Sequence, residues 1–157
     1  MDYCDAADEV AKNPNIKAEL WTLSNGNADA YRFMWTMWNW SHVIDDLVDR
    51  DKEAGVENAA KYFVLIAQEL TFNKFYQANS GFLFSLVMSM FNRWCDGEEF
   101  EKSDDTLKQA QSHVIKCGDL ELYIGVSYLT GGWDFVRKNK SFRTYDLNGF
   151  EFANKVK

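Results

Sequence analysis

Four side chains with the chemistry to hold a cation recur at helical spacing in Trp40-Ser41-His42-Val43-Ile44-Asp45-Asp46-Leu47-Val48-Asp49-Arg50-Asp51. On a helix, positions three, four and seven apart share a face. His42, Asp45, Asp46 and Asp49 therefore project from one side, and Val43, Ile44, Leu47 and Val48 from the other. Taken alone, the acidic cluster is unfavourable. Like charges four residues apart repel, aspartate is a poor helix former, and anions near a helix C-terminus oppose the macrodipole. A divalent cation reverses the sign of that interaction. Oxygen donors without thiolates suit magnesium, which keeps several waters and bridges to substrate phosphates. Asp45, Asp46 and Asp49 are thus candidate magnesium ligands. His42 is either a further ligand or a hydrogen-bond partner of an aspartate. The same residues also describe an ordinary solvated acidic face.

Counting back by helical steps, Trp38, Trp35 and Tyr31 fall on the acidic stripe, while Trp40, Phe33 and Met37 fall opposite. The N-terminal half of this helix is apolar all round and is expected to be buried, with the carboxylates where the helix emerges. The run Ile44-Asp45-Asp46-Leu47-Val48-Asp49-Arg50-Asp51 resembles the first aspartate-rich motif of the trans-isoprenyl diphosphate synthases and the wider isoprenoid-synthase-like fold. The resemblance implies an all-α bundle with the motif on a core helix. It further implies magnesium on Asp45, Asp46 and Asp49, and a diphosphate-bearing small molecule as ligand. Trp38 and Ser41, with Tyr31 and Trp35 further up the stripe, would then line the pocket for the ligand's tail. The paired arginines that follow the family's motif are missing, Arg50 and Lys52 being the nearby cations. Asp96, Glu98, Glu99, Asp119 and Glu121 do not reproduce a second aspartate-rich motif. The reading is therefore of an isoprenoid-synthase-like magnesium and diphosphate site without a complete synthase around it.

Two other function classes fit the same residues. One is a non-catalytic helical module that docks another protein through exposed aromatics. The other is an all-α nucleotide pyrophosphohydrolase, which also gathers acids on facing helices for magnesium, although its paired Glu-x-x-Glu pattern is missing. His113 stands alone among polar neighbours. Cys95 and Cys117 are expected on helices as buried hydrophobes. Gly131-Gly132 lacks the strand and the Lys–Ser/Thr pair of a phosphate loop.

The elements that must position these groups follow from composition. Hydrophobic residues make up 46% of the 157 positions and there is a single proline, which suits a packed, all-α, single-domain multi-helix bundle over 1–157 rather than a disordered chain. Seventeen basic against 24 acidic residues leave a net charge of −7, with no basic run. This argues against nucleic acid and an anionic membrane surface as partners, and sets no oligomeric state. Three scattered cysteines and an acidic start without an apolar run point to a reducing, cytoplasmic location. The longest apolar stretch, around Phe82 to Phe91, is too short to span a bilayer.

Along the chain, Asn13-Pro14-Asn15 reads as a break and Ile16 to Leu23 as a short helix. Ser24-Asn25-Gly26-Asn27 reads as a turn with a helix N-cap, followed by a helix to about Asp51. Val56 to Ala78 reads as a third helix, with Val56, Ala60, Phe63, Val64, Ala67, Leu70 and Phe75 as its core stripe. Beyond Asn79-Ser80-Gly81, residues Phe82 to Met90 surround their helix axis with apolar groups and are expected to form the most buried helix. Ser103 is expected to cap a helix that runs to Thr130, weakened at Gly118 and ended by Gly131-Gly132.

Overall fold

The computed structural model describes residues 15–49 and 56–139. Among them the chain is all-α: α1 (Ile16–Leu23), α2 (Ala28–Asp49), α3 (Val56–Phe72), α4 (Lys74–Glu101), α5 (Thr106–Lys116) and α6 (Asp119–Lys138). The expected break at Asn13-Pro14, the stop at Asp51 to Gly55 and the polar tail fall outside the described residues. No described helix is long and apolar enough to cross a membrane. The chain divides into two compact units, Met1–Leu83 and Phe84–Lys157.

In the first unit, α2 is the element around which the core forms. The turn before it has positive φ at Asn25 (50°) and Gly26 (74°), a conformation glycine reaches without a Cβ clash. Asn27 then caps the helix, its Oδ1 accepting the Ala30 N–H at 3.0 Å, as expected of a side-chain acceptor at this position. Every residue from 33 to 39 is buried, in keeping with a segment apolar on all sides. Against α2 pack α1, through Ile16, Leu20 and Leu23, and α3, through Tyr62, Ile66 and Glu69. Asn39 reconciles one buried amide with this core by donating to the Trp35 carbonyl at 2.7 Å and accepting from the Tyr62 hydroxyl at 3.1 Å.

Three expectations for this unit are corrected. The third helix ends at Phe72 instead of Ala78, because Asn73 starts the next one: its Oδ1 accepts the Tyr76 N–H at 2.9 Å. The Asn79-Ser80-Gly81 break is a kink inside α4, where Asn79 adopts φ −126°, ψ 17° and its amide donates to the Phe75 carbonyl at 2.8 Å. More consequentially, α3 is rotated relative to the expectation. Tyr62, Ile66 and Glu69 are buried; of the expected stripe Val56, Ala60, Phe63, Val64 and Ala67 are exposed, Leu70 is half-buried and Phe75, on α4, is buried. Polar groups, each with a partner on α2, sit where the apolar stripe was expected.

In α4, Leu83, Val87 and Met90 are buried on one stripe, whereas Phe82, Phe84 and Met88 are about half exposed. The helix is therefore one-sided, and the expectation that it is the most buried of all gives way to α2. In the second unit, α6 approaches α4 closely: a Cβ on Gly118 would lie 3.0 Å from the Met90 Cα, which only glycine avoids. Gly118 also separates α5 from α6, so the expected weakening is a full break. The cap of α5 is Asp105 rather than Ser103: Asp105 Oδ1 accepts the Leu107 N–H at 2.8 Å, and Ser103 Oγ accepts the Asp105 N–H at 3.2 Å. Gly131-Gly132 kinks α6 without ending it, with φ 73° at Gly132.

Candidate functional site

The acidic motif occupies the C-terminal end of α2. Asp45 and Asp46 are half-buried, and no basic residue stands in the helix's last turn. Asp49 is the last residue of the helix; its side chain lies outside the described set. At about 100° of rotation per residue, Asp45 and Asp46 leave the helix about 100° apart, with His42 between them. His42 is oriented by its own helix. Its Nδ1 lies 2.8 Å from the Trp38 carbonyl oxygen, and since a carbonyl only accepts, Nδ1 is the donor. The ring also lies 4.2 Å from the Trp38 ring, tilted by 42°.

The four residues expected to line a pocket are tied into local packing. Trp35 and Trp38 are buried and stacked on each other at 5.1 Å with an interplanar angle of 12°. Tyr31 is half-buried and meets Trp21 edge-on at 5.6 Å. The Ser41 hydroxyl donates to the Trp38 carbonyl at 2.8 Å. Among the described residues, no group of three His, Cys, Asp or Glu side chains is disposed to hold a metal ion.

Sequence reasoning missed a buried ionic cluster in the first unit. Glu69 is 3% exposed. Its Oε1 accepts from Arg32 Nε at 2.7 Å and its Oε2 from Asn73 Nδ2 at 2.5 Å. The second hydrogen of that amide goes to the Asp29 carbonyl at 2.8 Å, and Arg32 Nη1 pairs with the Asp29 carboxylate at 3.2 Å. A buried carboxylate is tolerable only when both oxygens are satisfied, and here both are. The available signal was the spacing Tyr62, Ile66, Glu69, Asn73, a stripe of i, i+4, i+7 and i+11.

In the second unit the remaining candidates have structural partners. Glu121 pairs with Arg93, which also donates to the Val114 carbonyl at 3.3 Å. Cys95 is exposed, contrary to expectation, and Cys117 is half-buried. Burial first, then the Asp119 charge, push the Cys117 thiol up to about 11 against the pull of Arg93, so at neutral pH it is a thiol and a poor nucleophile. The side chain of His113 is outside the described residues. Glu98 is buried and paired with Lys102 at 3.0 Å and with Lys116, which reaches Glu101 at 2.5 Å.

Burial alone would raise the Glu98 carboxyl and lower Lys116. Hydrogen bonds and charges prevail, those of Lys116 and Lys102 holding Glu98 below its ordinary range and those of Glu101 and Glu98 holding Lys116 above its own. A depressed carboxyl contributes stability above its unfolded pKa of about 4.3, lost as pH falls through the lower folded value. Lys116 contributes below its unfolded value of about 10.4, and that part is lost as pH rises through the higher folded one. Urea titrations of Glu98→Gln between about pH 5 and 3 should show a shallower loss of stability than wild type. Parallel slopes would show that Glu98 is not part of the acid response.

The remaining feature is the outward face of α3. Val56, Ala60, Phe63, Val64, Ala67 and Thr71 are exposed on it, with Glu57 and Gln68, also exposed, along the same side. Val56 is 84%, Phe63 69% and Val64 62% exposed. Scattered apolar residues on a surface are ordinary, but a contiguous apolar stripe marks a contact. No protein-family model matches the chain, and no curated protein or solved structure matches it.

Proposed function

We propose that the chain is a non-catalytic, helical protein-interaction module whose docking element is the outward face of α3. One observation carries this reading: the helix turns Val56, Phe63 and Val64 outward and buries a carboxylate on its inward side. Burying Glu69 requires Arg32 and Asn73 to neutralise and solvate it. Fully burying Phe63 or a valine instead would contribute roughly 1.5–3 kcal/mol each. A stripe held outward by so specific an inward set of hydrogen bonds is available to a partner.

The reading is tested by replacing Phe63 with serine and measuring unfolding in urea. Because the side chain contacts the partner and not the core, the isolated protein should retain its stability to within about 0.5 kcal/mol. A loss of about 3–5 kcal/mol, the cost of emptying a packed phenylalanine site, would place Phe63 inside the chain's own core and end the proposal.

A second reading is kept for the acidic end of α2, namely a magnesium site on Asp45, Asp46 and Asp49 that takes a diphosphate-bearing small molecule. Half-burial of two adjacent carboxylates, Asp45 and Asp46, near the C-terminal end of one helix favours it. The metal would offset repulsion between the carboxylates and the helix's negative end.

A further inference from the structure

Helix α5 is attached to the second unit by charge rather than by a core. Of its side chains within the described residues, only Ser112 is buried, and the Ser112 hydroxyl turns back to the Gln109 carbonyl of the same helix at 2.7 Å. Ala110 and Ile115 are half-buried, while Leu107 and Val114 are exposed. Its neighbour α6, by contrast, buries Leu122, Tyr123, Val126 and Val136. Packing of an apolar face is what fixes most helices in a folded domain, and α5 has little of it.

The contacts that hold α5 are polar. It carries Lys108 and Lys116 and no acid, and it lies against the end of α4, where residues 96–101 hold four acids and no base. A Cβ on Gly97 would meet the Lys116 Cγ at 2.5 Å and the Ser112 carbonyl oxygen at 3.0 Å, so the lysine stem crosses α4 where that helix has no side chain. From there its ammonium reaches Glu98 and Glu101, and Glu98 also pairs with Lys102. Arg93 of α4 donates to the Val114 carbonyl at 3.3 Å, and Lys108 lies 5.5 Å from the centre of the Phe100 ring. The side chains of Glu98 and Lys116 are only 11% and 20% exposed, against 60% for Glu101 and 70% for Lys102. Solvent and salt therefore screen the outer partners and spare the Lys116–Glu98 pair.

We infer that α5 is a latched strap: it opens from the second unit as a separate piece while α4 and α6 remain folded, and Lys116 on Glu98 is its latch. Proteins open in such contiguous pieces where buried apolar contact is sparse. Removing either charge leaves the other enclosed without its partner, and opening returns it to water. Acid acts in the same way by protonating Glu98. Burial pushes this carboxyl up, but the hydrogen bonds and charges of Lys116 and Lys102 overcome that and hold it below its ordinary range. In the closed state it therefore stays ionised at pH values where the open state has taken up a proton. As pH falls below the open-state value of about 4.3, the open fraction rises by up to about tenfold per pH unit until the lower closed-state value is passed.

Hydrogen exchange of the full chain between about pH 7 and 3, resolved for α5 and α6 and corrected for intrinsic rates, tests this. Protection in α5 should be lower than in α6 and should fall further in acid, while protection in α6 holds and reports an intact unit. Glu98→Gln should flatten the acid dependence. Glu101, which also pairs with Lys116, and Asp105, which caps α5, remain in that variant and set its residual slope. Lys116→Met should lower α5 protection at least about tenfold at neutral pH. Adding Glu98→Leu to it should restore protection, because an apolar pair needs no counter-charge. Equal exchange of α5 and α6 at every pH, or their joint loss of protection in the variants, overturns the strap, since α5 then opens only with the whole unit. An acid dependence unchanged in Glu98→Gln, or a double variant no better protected than Lys116→Met, overturns the Lys116–Glu98 pair as its latch.

Discussion

Removing the Arg32 side chain should destabilise the protein by about 3 kcal/mol, the cost of breaking a buried ion pair from one side. The size of the effect comes from the asymmetry of the pair. Arg32 is 35% exposed and could be solvated without its partner, but Glu69 is almost wholly enclosed. After Arg32→Ala its carboxylate keeps Asn73 and loses the Arg32 guanidinium, so the variant leaves a charge in a site with little water. Glu69→Gln should cost less, about 1–2 kcal/mol, because an amide can still accept from Arg32 or Asn73 and leaves a charge only on the exposed partner. Replacing the pair together, Arg32→Met with Glu69→Leu, should come closer to neutral than Arg32→Ala, since apolar groups of similar volume need no such compensation. Chemical denaturation of the four proteins checks the order. Equal stability of Arg32→Ala and wild type would show that the Arg32–Glu69 contact at 2.7 Å acts as a surface ion pair, worth about 0–1 kcal/mol.

The elements best read from sequence were those whose cause is local. Helix α2 was legible because nothing between the Asn25-Gly26 turn and Asp49 interrupts a helix, and because Asn27 is placed to cap it. The break at Gly118 was likewise visible as a residue type. Rotation of α3 was not. Periodicity finds an apolar stripe but assumes that it faces inward, and the residue that reverses the orientation, Glu69, depends on a partner 37 positions away. In α4 the apolar residues surround the axis, which removes any periodic signal that could say Leu83, Val87 and Met90 face inward while Phe84 and Met88 do not. Capping by Asn73 lay hidden for a related reason: the helical pattern continues through it, and only the hydrogen bond to the Tyr76 N–H distinguishes a cap from a helix interior. For the acidic site, the shared helix and shared face of His42, Asp45 and Asp46 were legible from spacing. What the face binds depends on groups from other segments, and spacing within one helix carries no information about them.

If the acidic end of α2 holds magnesium, the ion should stabilise the fold by roughly 2.7 kcal/mol when present at 100 times its dissociation constant. The gain arises because a cation bound only by the folded chain shifts the folding equilibrium, and the unfolded chain does not hold three carboxylates together. Replacing Asp45, Asp46 and Asp49 by asparagine should abolish that response. It should leave the metal-free protein as stable as before or more so, since repulsion among like charges on one helix face is relieved, as is their opposition to the negative end of the helix. Adding pyrophosphate should increase the magnesium-dependent gain, because a metal held by carboxylates retains coordination positions that phosphate oxygens can fill. A solvated acidic face behaves differently. Its charges respond to ionic strength and not to the identity of the cation, so sodium chloride at matched ionic strength reproduces the effect of magnesium. Thermal melts of wild type and the triple variant in the two salts separate these outcomes. Coincident wild-type melts would leave Asp45, Asp46 and Asp49 as ordinary surface charges at a helix end and remove the magnesium reading, while the docking face on α3, which shares no residue with them, would stand or fall on its own test.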